Sequence, residues 1–124
     1  MGAVYLDILI KRLPQDPSGE LLECLIDTGA VYSLAPADAL ARLGIAPHRQ
    51  VTLTLADGSK RIRDVGNAHF EYQGVGGGAP VLFGQPGDIN LLGVTALEAM
   101  GLMVDPLSRR LSPLPATLTR VTIP

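Results

Sequence analysis

The run Leu21-Leu22-Glu23-Cys24-Leu25-Ile26-Asp27-Thr28-Gly29-Ala30 decides how this chain reads, because it places a carboxylate where an apolar strand breaks. Inside a wall of Leu and Ile an ionised carboxyl is poorly solvated. Asp27 must therefore be hydrogen-bonded by neighbouring backbone or carry an unusual pKa. Thr28 and Gly29 supply the means: a hydroxyl for local hydrogen bonds, and a residue without a Cβ where the chain turns or meets another backbone. The tripeptide alone also suits an ordinary turn, since Asp often caps one.

Outward from this run the period is mostly two. Val4, Leu6, Ile8 and Ile10 alternate with Tyr5, Asp7, Leu9 and Lys11, which predicts a first strand lying on a core by one face, and Pro14 to Gly19 predicts a turn. Leu21 to Ile26 is a second strand, largely apolar on both faces, and Val31 to Ala35 continues extended beyond Asp27. A helix follows over Pro36 to Leu43, with Pro36 at its first position and Gly44 just past its end. Val51, Leu53 and Leu55 alternate with Thr52 and Thr54 up to Asp57-Gly58, a dipeptide of tight hairpins, and Arg61 to Tyr72 runs back. Gly74-Val75-Gly76-Gly77-Gly78 reads as a surface loop before a strand at Ala79 to Phe83, and Gln85 to Asp88 as a turn. The glycine run lacks the Lys and Ser/Thr of a phosphate-binding loop and opens no helix, which argues against a phosphate cradle. Leu107 to Arg110 predicts another hairpin, and Ser112 to Pro115 a proline-punctuated tail. Thr117 to Ile123 predicts a terminal strand in want of a partner, which a second subunit can provide.

The 124 residues, 47% of them hydrophobic, suffice for one domain with a real core, taken as 1–124. A net charge of −2, with basic clusters no larger than Lys60-Arg61-Ile62-Arg63 and Arg109-Arg110, argues against a nucleic-acid partner. Cys24 is the lone cysteine and reads as a packing residue. With His48 and His69 each isolated, no metal or cofactor is expected. The first residues have no basic segment followed by an apolar core, and no stretch reaches the length of a membrane span. The expectation is a cytoplasmic chain without a membrane partner.

An internal echo links two segments. Ala39-Leu40-Ala41-Arg42-Leu43-Gly44-Ile45 and Ala96-Leu97-Glu98-Ala99-Met100-Gly101-Leu102 share Ala-Leu, two variable positions, a large apolar residue, Gly and a β-favouring residue. Two short helices that stop at Gly can look alike by chance. The sharper reading is two related strand-loop-helix halves.

Two separated motifs in order, Asp27-Thr28-Gly29 after an apolar strand and Asn90-Leu91-Leu92-Gly93 leading into Val94 to Leu102, make the chain resemble the retropepsin-like aspartic proteases, from about Tyr5 to Leu111. The resemblance implies a mainly all-β fold: a closed β-barrel with one or two short helices, one lobe per chain. It also implies a homodimer. Peptide hydrolysis of this kind needs a carboxylate to take a proton from water and a carboxylic acid to hydrogen-bond the scissile carbonyl. The chain holds a single Asp-Thr-Gly, so the second member would come from another copy about a twofold axis. In the family the Thr hydrogen-bonds across that axis and the Gly lets the two loops approach, roles that fall on Thr28 and Gly29. A hairpin that folds over substrate falls on Leu53 to Ile62. Expected substrate contacts are Ala30, Val31, Leu55, Ala56, Asp57, Gly58 and Val81, for a peptide or protein substrate with apolar side chains near the cut.

The chain departs from viral members at Val31 and Val94, where they carry an acid and an arginine of an ion-pair network near the dimer interface. Dimerisation would here rest on apolar contacts and terminal strands. The hairpin tip also lacks the viral glycines, and the Pro36 to Leu43 helix is nearer to cellular and bacterial relatives. The alternatives are a non-catalytic dimerisation or peptide-binding module on the same fold, and a β-barrel in which Asp27 is structural.

Overall fold

The architecture comes from a computed structural model, which describes residues 2–115. The terminal strand expected over Thr117 to Ile123 lies outside the described residues. Nine strands and two short helices occur among the described residues: β1 (Tyr5–Lys11), β2 (Glu20–Asp27), β3 (Ser33–Pro36), α1 (Ala37–Arg42), β4 (Arg49–Thr54), β5 (Lys60–Tyr72), β6 (Val75–Gly84), β7 (Leu91–Gly93), α2 (Val94–Met100), β8 (Leu102–Asp105) and β9 (Arg110–Pro113). Seven strands form one sheet in the order β1-β2-β7-β3-β6-β5-β4, with β1 also pairing to β5, and β8-β9 form a separate ribbon.

Most neighbours are antiparallel, but β2 runs parallel to β7 and β3 parallel to β6. These two parallel pairs matter for the site: the first sets Asp27 directly opposite Gly93. The alternation in β1 behaves as read, with Val4, Ile8 and Ile10 buried and Leu6 half-buried. They join Cys24, Ile26, Phe70, Val81, Phe83 and Leu92 in the main core. Each such aliphatic side chain contributes about 1.5–3 kcal/mol by leaving water. A smaller cluster of Leu34, Val65 and Leu82 lies apart, with Tyr32, Val51, Leu53 and Leu91 packed on it.

The echo has a local counterpart in the structure. Each helix follows a strand, buries its Ala-Leu pair (Ala39-Leu40 and Ala96-Leu97), and ends at a glycine with positive φ, 78° at Gly44 and 70° at Gly101. Ile45 and Leu102 then turn back into the core. Pro36 stands one place before the helix, in extended geometry, and the strand after Asp27 starts at Ser33, two residues later than expected.

The glycine run is a correction. Residues Val75 to Gly78 are the start of β6, paired to β5 from Tyr72↔Val75 onward, and the turn is only Gln73-Gly74, both at positive φ as a two-residue hairpin requires. The glycines serve close packing: a Cβ on Gly77 would run into the Ala99 carbonyl of α2, and one on Gly76 would lie 2.5 Å from the His69 ring. Among the described residues no helix is long and apolar enough to cross a membrane. No group of three or more His, Cys, Asp or Glu among them could hold a metal ion.

Candidate functional site

Asp27 ends β2 where the strand leaves the sheet, and the next five residues cross over β7. Three contacts lock this crossing. The Val94 N–H donates to the Ala30 carbonyl at 2.7 Å, the Gly93 N–H to the buried Ser33 hydroxyl at 2.9 Å, and the Ala30 N–H to the Asp27 carbonyl at 3.2 Å. Gly93 must be glycine because a Cβ there would sit 2.5 Å from the Tyr32 carbonyl oxygen and 2.8 Å from that of Ala30. The second motif thus exists to let the first one pass. Asp27 is half-buried, and its Oδ1 accepts the Gly29 N–H at 2.9 Å, so neighbouring backbone solvates the carboxylate as the sequence required.

Beside this loop lies a cavity of about 700 Å³. Ala30, Val31 and Tyr32 form one side, Leu34, Leu82 and Leu91 the floor, and the β4-β5 hairpin the far wall through Leu53, Thr54, Leu55, Arg61 and Arg63. The hairpin closes through the Gly58 N–H to the Leu55 carbonyl at 2.9 Å, with Gly58 at φ 85°. Asp57 Oδ1 accepts both the N–H and the hydroxyl of Ser59 at 2.9 and 2.6 Å, which holds its carboxyl below the ordinary range. Across the cavity Arg63 grips Asp88 through two bonds, Nε to Oδ2 at 2.8 Å and Nη2 to Oδ1 at 3.0 Å. Chiefly by that bond, the guanidinium holds the Asp88 carboxyl below its usual range. Tyr32 is fixed from outside by Arg49, whose Nη2 donates to the phenol oxygen at 3.1 Å.

No protein-family model and no curated protein matches the chain. Solved structures do. The protease of simian foamy virus (mac) matches over 76% of this chain and 91% of its own, at 26% identity and a TM-score of 0.54. The retroviral protease-like domain of Ddi1 from Leishmania major matches over 91% of this chain and 89% of its own, at 18% identity and a TM-score of 0.57. The chain has the retropepsin-like aspartic protease fold.

On this retropepsin-like frame the residues singled out from sequence separate into three groups. Ala30, Val31 and Leu55 line the cavity, while Asp27 stands at the start of the loop that leads to Ala30 and is not among the lining residues. Thr28 points away from that cavity and lines a second groove of about 520 Å³, formed with α2, β8 and Leu114. Ala56, Asp57 and Gly58 stand exposed at the hairpin turn and do not line the cavity among the described residues.

One expectation needs correction. Val81 is fully buried in the main core; its neighbour Leu82 faces the cavity, because successive residues of β6 point to opposite sides of the sheet. Gly29, whose expected role is to let two loops approach rather than to adopt a left-handed backbone, is not among the glycines with positive φ. What confines it within one chain is the Asp27 carboxylate itself, 3.3 Å from where a Cβ would stand.

The sequence reading passed over Ser33, Tyr32, Arg61, Arg63 and Asp88. A hairpin centred near Asp57 already implies that Arg61 stands opposite Leu53, as it does, so Arg61 was recoverable by counting from the turn. The Arg63–Asp88 pair spans 25 residues and carries no local signal.

Proposed function

We propose that the chain is an aspartic endopeptidase acting as a homodimer, in which a water is activated between two Asp27 carboxylates, one from each copy. The observation that carries this reading is Asp27 at the end of β2, set opposite Gly93 at the start of a locked loop whose next residues, Ala30 to Tyr32, line a large, mainly apolar cavity. The sequence holds one Asp-Thr-Gly, so a pair requires two chains. The exposed Thr28 beside a groove that includes the exposed apolar Met103 and Leu114 offers a surface for the second copy.

In the pair, the two close carboxyls share one proton. The ionised member takes a proton from water. The protonated member hydrogen-bonds the scissile carbonyl while the water oxygen adds to its carbon, and the C–N bond then breaks as one proton passes from the carboxyl pair to the leaving amine. The β4-β5 hairpin, whose Leu53 and Leu55 line the cavity, acts as the flap over the peptide.

The test is cleavage of a diverse peptide mixture from acidic to neutral pH, read by mass spectrometry, for wild type beside Asp27→Asn. The expected outcome is discrete cuts that fall by about 10³-fold or more in the variant, with specific activity dropping on dilution. Cuts that survive Asp27→Asn refute the assignment. A folded wild-type dimer that makes no cuts points instead to a module that binds peptides without hydrolysing them.

A further inference from the structure

The cavity next to the Asp27 loop is lined by one more cation than anion. On β5, Arg61 and Arg63 stand opposite Leu53 and Val51 of β4, and both arginines reach the cavity wall. Arg63 is engaged by Asp88, with the two side chains only 15% and 23% exposed. Arg61 is exposed, its Nη1 donates to the adjacent Lys60 carbonyl at 2.9 Å, and although its charge is felt at Asp88 it makes no direct ion pair with a carboxylate among the described residues. The charged groups lining the cavity are therefore two guanidiniums against the one carboxylate of Asp88. The rest of the hairpin wall is Leu53 and Leu55, with Val31 facing them, 61% exposed.

An apolar slot with an unpaired guanidinium at its edge suits a side chain with a short aliphatic stem and a carboxylate tip, and it disfavours a second cation. Arginine stays charged at any working pH, and its fork matches a carboxylate through two bonds. We propose that Arg61 is the specificity residue of this site and selects peptides that carry an acidic side chain, Glu above all, next to an apolar one. This inference rests on the reading of the Asp27 cavity as a peptide site.

Binding is tested on the Asp27→Asn chain, so that no turnover intervenes, by fluorescence anisotropy. The probes are three fluorescein-labelled octapeptides of Ala, Leu and Val that differ only in a central Glu, Gln or Lys. The Glu peptide is expected to bind about fivefold more tightly than the Lys peptide, with Gln between, the size of a partly exposed ion pair. Adding Arg61→Gln should level the series and Arg61→Glu should invert it, whereas Arg12→Glu, which makes the same charge change elsewhere, should leave it alone. A Glu preference that survives Arg61→Glu, or that Arg12→Glu abolishes equally, overturns the proposal.

Wild-type digestion of the same octapeptides separates the two readings. An Arg61-dependent binding preference without cleavage keeps the inference and removes the hydrolase. Cleavage without any charge preference does the reverse, and neither binding nor cleavage overturns both.

Discussion

Replacing Gly93 by alanine is the most direct perturbation of the Asp27 loop. The added methyl would stand 2.5 Å from the Tyr32 carbonyl oxygen and 2.8 Å from both the Tyr32 carbonyl carbon and the Ala30 oxygen. These are backbone atoms in a crossing that hydrogen bonds hold on both sides, so no side chain can swing aside to make room. Relief requires the whole loop to lift off β7, weakening the Val94-to-Ala30 and Gly93-to-Ser33 bonds together. Overpacking of this kind costs about 3 kcal/mol, the upper part of the usual range. For a chain of 124 residues that corresponds to a fall in Tm of about 10 °C.

The control is Gly101→Ala, which meets open space but forces φ 70° on alanine, a cost of about 1 kcal/mol. Thermal unfolding of the three proteins at one protomer concentration, since dimerisation would shift each Tm, should rank Gly93→Ala well below Gly101→Ala. Hydrogen exchange should show the Val94 amide opening in Gly93→Ala alone. If the two variants melt within a degree or two of one another, or the Val94 amide stays protected, the close crossing does not constrain the site and the reasoning fails.

Ser33→Ala leaves the buried Gly93 N–H without its acceptor and should cost about 1–3 kcal/mol by urea unfolding; a change under about 0.5 kcal/mol would show that the bond carries no weight. Asp88 has a carboxyl held below its ordinary value by Arg63, so it contributes stability that is present above about pH 4 and is lost as pH falls through the depressed value. The gap in unfolding free energy between wild type and Asp88→Asn should therefore be widest near neutrality and close toward pH 2. A gap that is flat with pH contradicts the pairing. Burial pushes the Cys24 thiol up to about 12, and the residue is 1% exposed, so a thiol-disulfide reagent at pH 8 should label it only after unfolding; prompt labelling of the native chain would show that β2 opens.

What was legible in the sequence was whatever local punctuation encodes. The Asp57-Gly58 turn, the Gly44 and Gly101 helix stops and the alternation in β1 each depend on residues a few positions apart, and each appears where expected. The glycine run failed because a strand is recognised by alternating side chains, and Gly76 to Gly78 have none; the reason for Gly77 is the distant backbone of Ala99, and for Gly76 the His69 side chain across the hairpin. Val81 and Leu82 could not be told apart since both are apolar, and only the register of β6 against β5 decides which one faces the cavity. Ser33 looked like any strand serine until Gly93, 60 residues further on, arrived to use its hydroxyl.

That last distance has a kinetic meaning. The loop that carries Asp27 is fastened by the parallel pairing of β2 with β7 and by the Ser33–Gly93 bond, none of which can form until some sixty intervening residues have been drawn into place. Closing so long a loop is slow, and parallel pairing at high sequence separation comes late in folding. A chain still emerging from the ribosome, or one cut ahead of Leu91, holds the Asp-Thr-Gly tripeptide without the clamp that shapes it. The clamp around the carboxylate thus forms after the local hairpins β1-β2, β4-β5 and β5-β6. Pulsed hydrogen exchange during refolding should show the β5-β6 amides protected before those of Gly93 and Val94, and the opposite order would place the clamp in the folding nucleus.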